Sequence, residues 1–150
     1  MPTKQKTLVI SVSAGTGCYR HIKISDHATL EELSSKILDA FEFIEDHAHA
    51  FFMDNRAWSD TDSYYMAMED EEDDERHTCD FTLRKAGLKP GKKFVYVFDF
   101  GDDWRFHCRV LQILDEQTDE PEVIRTKGEP PDQFSFDDDW DEDEENDDYD

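Results

Sequence analysis

Two histidines and a group of aspartates are the residues whose types and spacing could do chemistry. His47 and His49 are two positions apart, so on a strand both side chains would leave by the same face. Asp99, Asp102 and Asp103 place three carboxylates close together in the chain. Imidazole and carboxylate groups bind metal ions and exchange protons, so His47, His49, Asp99 and Asp102 are candidates for a metal-dependent or acid/base enzyme.

The same residues also have structural explanations. One histidine could pack under a sheet while the other caps a backbone group. Aspartates in a tight turn accept backbone N–H bonds, and Gly101 supplies positive φ there. Trp104 would then fill the core beside the turn, with its indole N–H reaching a carboxylate or carbonyl. We therefore predict no catalytic residue, metal or cofactor. The candidate motif site comprises His47, His49, Asp99, Asp102, Asp103 and Trp104.

A second candidate site is a basic segment that contains no acid. Five cations within ten residues, followed by Phe94 and Tyr96, form a local footprint for nucleic acid or another polyanion. The alternative is a solvated helix end whose cations favour the helix C-terminus. The predicted polyanion ligands are Arg84, Lys85, Lys89, Lys92 and Lys93.

The net charge of −23 is concentrated in two segments of the 150-residue chain. Glu69–Glu75 contributes seven acids and Asp132–Asp150 twelve, neither with a base, which leaves −4 for the rest. This excludes a globally basic nucleic-acid binder and favours a folded domain over 1–131 followed by an acidic low-complexity tail over 132–150. Aromatic residues among the tail acids suit docking on a basic protein partner or on the chain's own basic segment, while the alternative is a solubilising tail.

Targeting signals and cysteine spacing predict a compartment. No run of about 18 apolar residues is present, so no membrane span is expected. The basic N-terminus leads into a strand pattern and lacks the apolar region of a signal peptide. Cys18, Cys79 and Cys108 are odd in number and widely spaced, which argues against a disulfide framework. We predict a cytoplasmic protein.

The elements that would position these residues follow from hydrophobic periodicity. Alternation over Thr7–Ser13 and over Cys18–Ile24, with glycines between, predicts a β-hairpin. Thr29 and Glu32 have capping-box spacing, and apolar residues recur from Leu30 to Ile44, which predicts a helix of about 14 residues. Further strands are predicted at Ala48–Asp54, Tyr64–Met66, Phe94–Phe100 and Trp104–Leu114, with a short helix over 81–88 and a loop beyond Asp115. The prediction is an α+β fold, a β-grasp-like mixed sheet with one main helix packed across it.

Three pieces of the chain resemble a known family over roughly residues 6–133. They are Glu45-Asp46-His47-Ala48-His49-Ala50-Phe51, Tyr96-Val97-Phe98-Asp99-Phe100-Gly101-Asp102-Asp103-Trp104 and Gly128-Glu129-Pro130-Pro131-Asp132. In order and spacing they are similar to the plasmid pRiA open-reading-frame-three-like family, some of whose members are described as insertion-element passenger proteins. The resemblance implies an α+β, β-grasp-like domain of uncharacterised role.

The sequence departs from that family pattern at two places. Phe106 stands where the family usually has histidine, and Gln133-Phe134 follows where the family usually continues towards two glycines. An activity that depended on those residues would be altered or absent here. The function predicted is a non-catalytic binding module. The alternatives are a mobile-element-associated accessory protein that contacts nucleic acid through residues 84–93, and the enzyme described above.

Overall fold

The hydrophobic pattern of the chain folds into one sheet with a helix on one side. The computed structural model describes residues 5–15, 17–67, 76–131 and 133. Both acidic segments, 69–75 and 132–150 with the exception of Gln133, lie outside the described residues. No helix in the described part of the chain has the length and apolarity that crossing a membrane requires.

The described ranges contain seven strands, one α-helix and one short 3-10 helix. The strands are β1 (Thr7–Ser13), β2 (Tyr19–Ser25), β3 (His49–Phe52), β4 (Ser63–Tyr65), β5 (Lys93–Phe98), β6 (Trp104–Leu114) and β7 (Glu122–Lys127), with helix α1 (Leu30–Ala40) and a short 3-10 helix (Thr78–Asp80). The seven described strands form one sheet in the order β4-β3-β5-β6-β1-β2-β7. Each pairing between these strands is antiparallel, whereas a mixed sheet was expected. The α+β prediction is confirmed.

Alternation decides which face of the sheet meets the helix. Leu8, Ile10 and Val12 of β1 are fully buried, as their spacing predicts, and they join the helix-side core. Strand β5 is buried on both faces, because Tyr96 faces the helix while Val97 belongs to a second apolar cluster on the opposite face. The prediction of a central strand covered on both sides is therefore confirmed.

Helix α1 begins as predicted and ends earlier than predicted. Thr29 accepts a hydrogen bond from the Glu32 backbone N–H at 3.1 Å, and Glu32 accepts one from the Thr29 N–H at 2.9 Å, which is a capping box. The helix stops at Ala40, and Glu42 has a φ of +62°. Ile44, counted as part of the apolar helix face, is 60% exposed, so that assignment was wrong.

Two other local predictions were wrong. The segment 81–88 forms turns around Leu83 rather than a short helix, and the backbone N–H groups of Leu83 and Arg84 donate to the carbonyls of Ala28 and Asp26. The segment after Asp115, expected to be a loop, contains the edge strand β7. Its residues are mostly exposed, so no apolar alternation reveals it, and pairing with β2 supplies its hydrogen bonds.

A buried polar contact fixes the helix on the sheet. The Ser34 hydroxyl of α1 lies 2.5 Å from the Tyr96 hydroxyl of β5, and both side chains are fully buried. Burial raises the pKa of Tyr96, so the phenol stays protonated and can donate. The contact satisfies two polar groups inside an apolar layer and favours one position of α1 along the sheet.

Candidate functional site

Antiparallel pairing brings the first two motif pieces together. His49 of β3 lies opposite Phe98 of β5, and the Asp99 backbone N–H donates to the Ala48 carbonyl at 2.9 Å. The segment that carries the histidines therefore runs beside the segment that leads into the aspartates. The pairing of β3 with β5 thus brings together residues that are about fifty positions apart in the sequence.

His47 and Asp99 form the closest pair of functional groups in the motif site. The His47 Nε2 lies 3.4 Å from the Asp99 carboxylate and 3.5 Å from that of Asp46. The His47 side chain is 46% exposed, whereas that of Asp99 is 12% exposed. At this half-open pair an imidazole and a carboxylate lie close together at the surface, as proton exchange would require.

His49 is in a different environment from His47, although both were expected to leave by one face. It is 2% exposed, and its Nε2 lies 2.9 Å from the Thr78 hydroxyl. Burial lowers its pKa from 6.5 to about 4, so the ring is neutral at pH 7. The rings of Phe51 and Tyr96 lie 6.2 and 6.0 Å away, which gives His49 a packing role beneath the sheet.

The aspartates after β5 shape a turn. Asp99 and Asp103 have φ values of +61° and +57°, and the Asp99 carboxylate accepts the Asp102 backbone N–H at 3.3 Å. Arg105 donates to the Asp103 carboxylate at 2.8 Å, and the Trp58 indole N–H donates to it at 3.0 Å. These bonds, the one from Arg105 foremost, lower the pKa of Asp103.

Trp104 packs beside this turn without the hydrogen bond that was expected of it. Its ring lies edge-on to Phe43 at 5.0 Å, and the Phe43 ring also contacts Phe106 at 5.6 Å. The buried Trp104 Nε1 has no hydrogen-bond partner among the described residues. The expected indole bond instead belongs to Trp58, which no sequence motif had singled out.

The third motif piece passes between the hairpin turn and the first piece. Gly128 lies against Gly17 and Cys18, and the Cys18 thiol donates to the Glu129 carbonyl at 3.1 Å. Farther along, the Gln133 side chain accepts the Ile44 backbone N–H at 2.7 Å and donates to the Ile44 carbonyl at 3.2 Å. The three pieces therefore converge on one end of the domain.

An acidic cleft borders the motif histidines. It encloses about 470 Å³, and its lining includes the side chains of Glu31, Glu45, Asp46 and His47. A neighbouring cleft of about 460 Å³ shares Glu31 and Glu45. Because Ser35 donates to both Glu45 oxygens, at 3.0 and 3.1 Å, this carboxylate is held in place on the cleft wall.

The motif does not assemble a metal centre in the described part of the chain. No group of three or more His, Cys, Asp or Glu side chains has metal-binding geometry there. Cys108 is buried, and burial raises its thiol pKa. A raised pKa keeps the thiol protonated, which is unfavourable for metal ligation or nucleophilic attack.

The basic segment is divided between two environments. Arg84 donates to the buried carboxylate of Asp26 at 2.6 and 2.9 Å, so its charge already has a partner. Lys85 and Lys89 are exposed on the turn that follows. Lys93 begins β5 opposite Arg109 of β6, which places it on the sheet.

Arg20 is a structural residue that sequence reasoning missed. It is 3% exposed, and it donates to the backbone carbonyls of Ala40, Tyr19 and Lys127 at 2.9–3.1 Å. The guanidinium also lies 4.8 Å from the centre of the Phe41 ring. It therefore joins the end of α1 to β2 and β7. An arginine alternating with buried Ile22 and Ile24 was the signal that could have revealed it.

A comparison with known families identifies the family of the chain. Residues 10–140 match the model of the family described as plasmid pRiA4b ORF-3-like protein. The chain belongs to this family. The resemblance carried by the three converging motif pieces is confirmed.

A solved structure is similar to this plasmid pRiA4b ORF-3-like chain. It is the crystal structure of MM3350, titled a protein of unknown function, from Methanosarcina mazei Go1. The two are 23% identical with a TM-score of 0.58, over 85% of this chain and 71% of that chain. At this identity the likeness shows the fold alone. No curated protein matches the chain.

Proposed function

We propose that the protein is a non-catalytic binding module that recruits a basic protein segment. The observation that carries the proposal is the cleft beside the motif, where Glu31, Glu45 and Asp46 present carboxylates to solvent. A lysine- or arginine-rich peptide would place cations against these oxygens, and charge-assisted hydrogen bonds are stronger than neutral ones. The proposal includes the predicted contribution of the acidic tail 132–150 to binding a basic partner.

A binding role also accounts for how the other motif residues are used. His49 is bonded to Thr78, and Asp103 is bonded to Arg105 and Trp58, so these groups shape the site. The enzyme alternative would rest on the single His47–Asp99 pair. Metal analysis of protein purified without an affinity tag separates the two interpretations, because one equivalent of metal lost in His47→Ala would favour the enzyme.

The binding experiment uses a fluorescent decalysine peptide and the full chain. Glu31→Gln with Glu45→Gln should weaken binding by about fivefold or more at low salt, since two charge pairs of about 0.5 kcal/mol or more are lost. The control Asp60→Asn with Glu129→Gln removes the same charge from exposed positions that do not line the cleft. Equal weakening by both pairs, or no binding by the unmodified chain, would refute the proposal.

Two finer expectations belong to the same proposal. The cytoplasmic location predicted from cysteine spacing would place the module among intracellular basic proteins. The β-grasp-like description of the fold rests on the β1–β2 hairpin followed by a helix, and it stays a prediction.

A further inference from the structure

The sheet face opposite α1 carries a row of polar residues that crosses five strands. Register places Lys93 of β5 opposite Arg109 of β6, then Ser11 of β1, His21 of β2 and Arg125 of β7. Residues opposite each other in antiparallel strands share a face, so all five point to the same side. The α1 side of the sheet holds the main core, whereas on this side Ser11 and His21 are half-buried and Lys93, Arg109 and Arg125 are exposed.

A second row lies beside the first. His107 of β6, Ser13 of β1, Tyr19 of β2 and Lys127 of β7 follow one another across the sheet. We call the two rows together the open sheet face. Its cations stand on β5 and β6 at one side and on β7 at the other, with small hydroxyl side chains and two rings between them.

The cations of the open sheet face are available to a ligand. Lys93, Arg109, Arg125 and Lys127 are exposed, and none forms an ion pair with a carboxylate of the described residues. Lys23, at one end of the same face, differs because Glu116 lies 2.7 Å from its Nζ. Four exposed cations therefore share this face without a carboxylate partner among the described residues.

The rings between the cations are stacked. Tyr19 and His21 have ring centres 5.1 Å apart and planes inclined by 25°, and both side chains are partly exposed. The Arg125 guanidinium lies 5.9 Å from the centre of the Tyr19 ring. Partial burial, and then the Arg125 charge, lower the pKa of His21, which keeps its ring neutral at pH 7.

We propose that the open sheet face binds single-stranded nucleic acid, with phosphates on the cations of its two sides and unpaired bases against Tyr19 and His21. Cations that follow a backbone and rings that stack on bases are the two parts of a single-strand binding surface. Three β-strand spacings, about 14 Å in all, separate β6 from β7. This distance leaves room for one nucleic-acid strand between the cations. A duplex keeps its bases stacked inside, where these rings would not reach them.

The carboxylates of the acidic cleft do not oppose this binding at close range. The cleft carboxylates Glu31 and Glu45 belong to the α1 side of the sheet. At about 0.1 M salt the Debye length is about 10 Å, so charges across the thickness of the domain are largely screened. An acidic peptide would satisfy the cations, but it has no bases to occupy the stacked rings. The proposal thus extends beyond the basic segment 84–93, of which it uses Lys93.

The experiment measures fluorescence anisotropy of a labelled oligothymidylate of about 16 nucleotides with the full chain. Arg109→Glu with Arg125→Glu should weaken binding about tenfold or more at low salt, and should reduce the slope of log affinity against log salt by about 1.4. Tyr19→Ala should weaken it at least about fivefold with an unchanged slope, while Tyr19→Phe should bind like the unmodified chain. Thermal melts identify any variant that fails to fold.

The matched control is Lys85→Glu with Lys89→Glu, which makes the same charge change on the exposed turn outside the open sheet face. Equal weakening by both pairs would place polyanion binding on the basic segment and overturn the proposal. So would absence of oligothymidylate binding at about 50 mM salt, or equal binding of a duplex. A labelled synthetic peptide of residues 134–150 is a further probe. If it binds this face and the oligonucleotide cannot displace it, the chain's own acidic tail is the occupant and the proposal fails.

Discussion

At the scale of single residues, two histidines two positions apart have opposite fates. His47 is at the surface beside Asp99, while His49 is enclosed and bonded to Thr78. The difference arises because β3 begins at His49, so His47 precedes the strand and does not follow its alternation. A pair that resembled a metal site in sequence therefore divides into one surface group and one core group.

The buried imidazole of His49 should make stability depend on pH. Its folded pKa of about 4 is below the unfolded value, so stability is complete above pH 6.5 and is lost as pH falls from 6.5 towards 4. Between pH 7.5 and 5 this one group should remove about 2 kcal/mol of the free energy of unfolding. Urea denaturation at both values, compared with His49→Asn, measures the difference. An equal loss in the variant would show that carboxylates alone cause it.

The unpartnered indole of Trp104 predicts unequal effects of two substitutions. Trp104→Ala removes the contact with Phe43 and should lower stability by about 3 kcal/mol. Trp104→Phe keeps an aromatic ring and removes a buried N–H that has no described partner, so it should cost less than about 1 kcal/mol. Thermal melting of both variants is the measurement. A large loss in Trp104→Phe would mean that the N–H makes a stabilising bond.

At the scale of elements, the third motif piece is held against the hairpin turn by close backbone contact. A Cβ at Gly128 would lie 2.4 Å from the Gly17 carbonyl oxygen, and Gly128 also has a φ of +82°. Strands β2 and β7 cannot move apart to relieve this overlap without breaking their pairing, in which Tyr19 lies opposite Lys127. The glycine of the family motif is thus explained by packing.

Gly128→Ala should therefore destabilise the domain by about 3 kcal/mol, from strain at positive φ together with the overlap. Gly91→Ala is the matched control, because Gly91 has a φ of +89° but a Cβ added there would meet no atom within 4 Å. The control should lose only about 1 kcal/mol, the strain alone. Urea denaturation compares the two, and equal losses would exclude a packing role for the motif glycine.

At the scale of the whole molecule, a net charge of −23 acts against compactness. Self-repulsion destabilises a folded chain, and salt screens it. Salt also weakens ion pairs such as Arg84–Asp26. Because Asp26 is buried, salt screens this pair less than it screens the repulsion between exposed charges. Raising sodium chloride from about 20 to 200 mM at pH 7.5 should therefore raise the melting temperature.

The control for this salt effect is pH. Near the sequence pI of about 4.3 the net charge vanishes, and the stabilisation by sodium chloride should vanish with it. Differential scanning calorimetry at both pH values provides the comparison. A melting temperature that fell with salt at pH 7.5 would mean that specific ion pairs outweigh the general repulsion.

Local sequence determined the elements whose signals are local. Alternation placed the β1–β2 hairpin and the buried face of Leu8, Ile10 and Val12, and the Thr29–Glu32 spacing placed the start of α1. The motif pieces were sufficient to indicate the family. In each case the information lies within a few residues, because capping and alternation depend on neighbours in the chain.

The tertiary structure alone decided which residues meet. Edge strand β7 forms because β2 supplies its hydrogen bonds, and Arg20 is buried because three carbonyls from different elements surround it. The open sheet face joins Lys93, Arg109 and Arg125, which are far apart in sequence and become neighbours only through strand order and register. A one-residue shift in register would turn such side chains to the other face, so their convergence is set by long-range pairing, to which no local pattern responds.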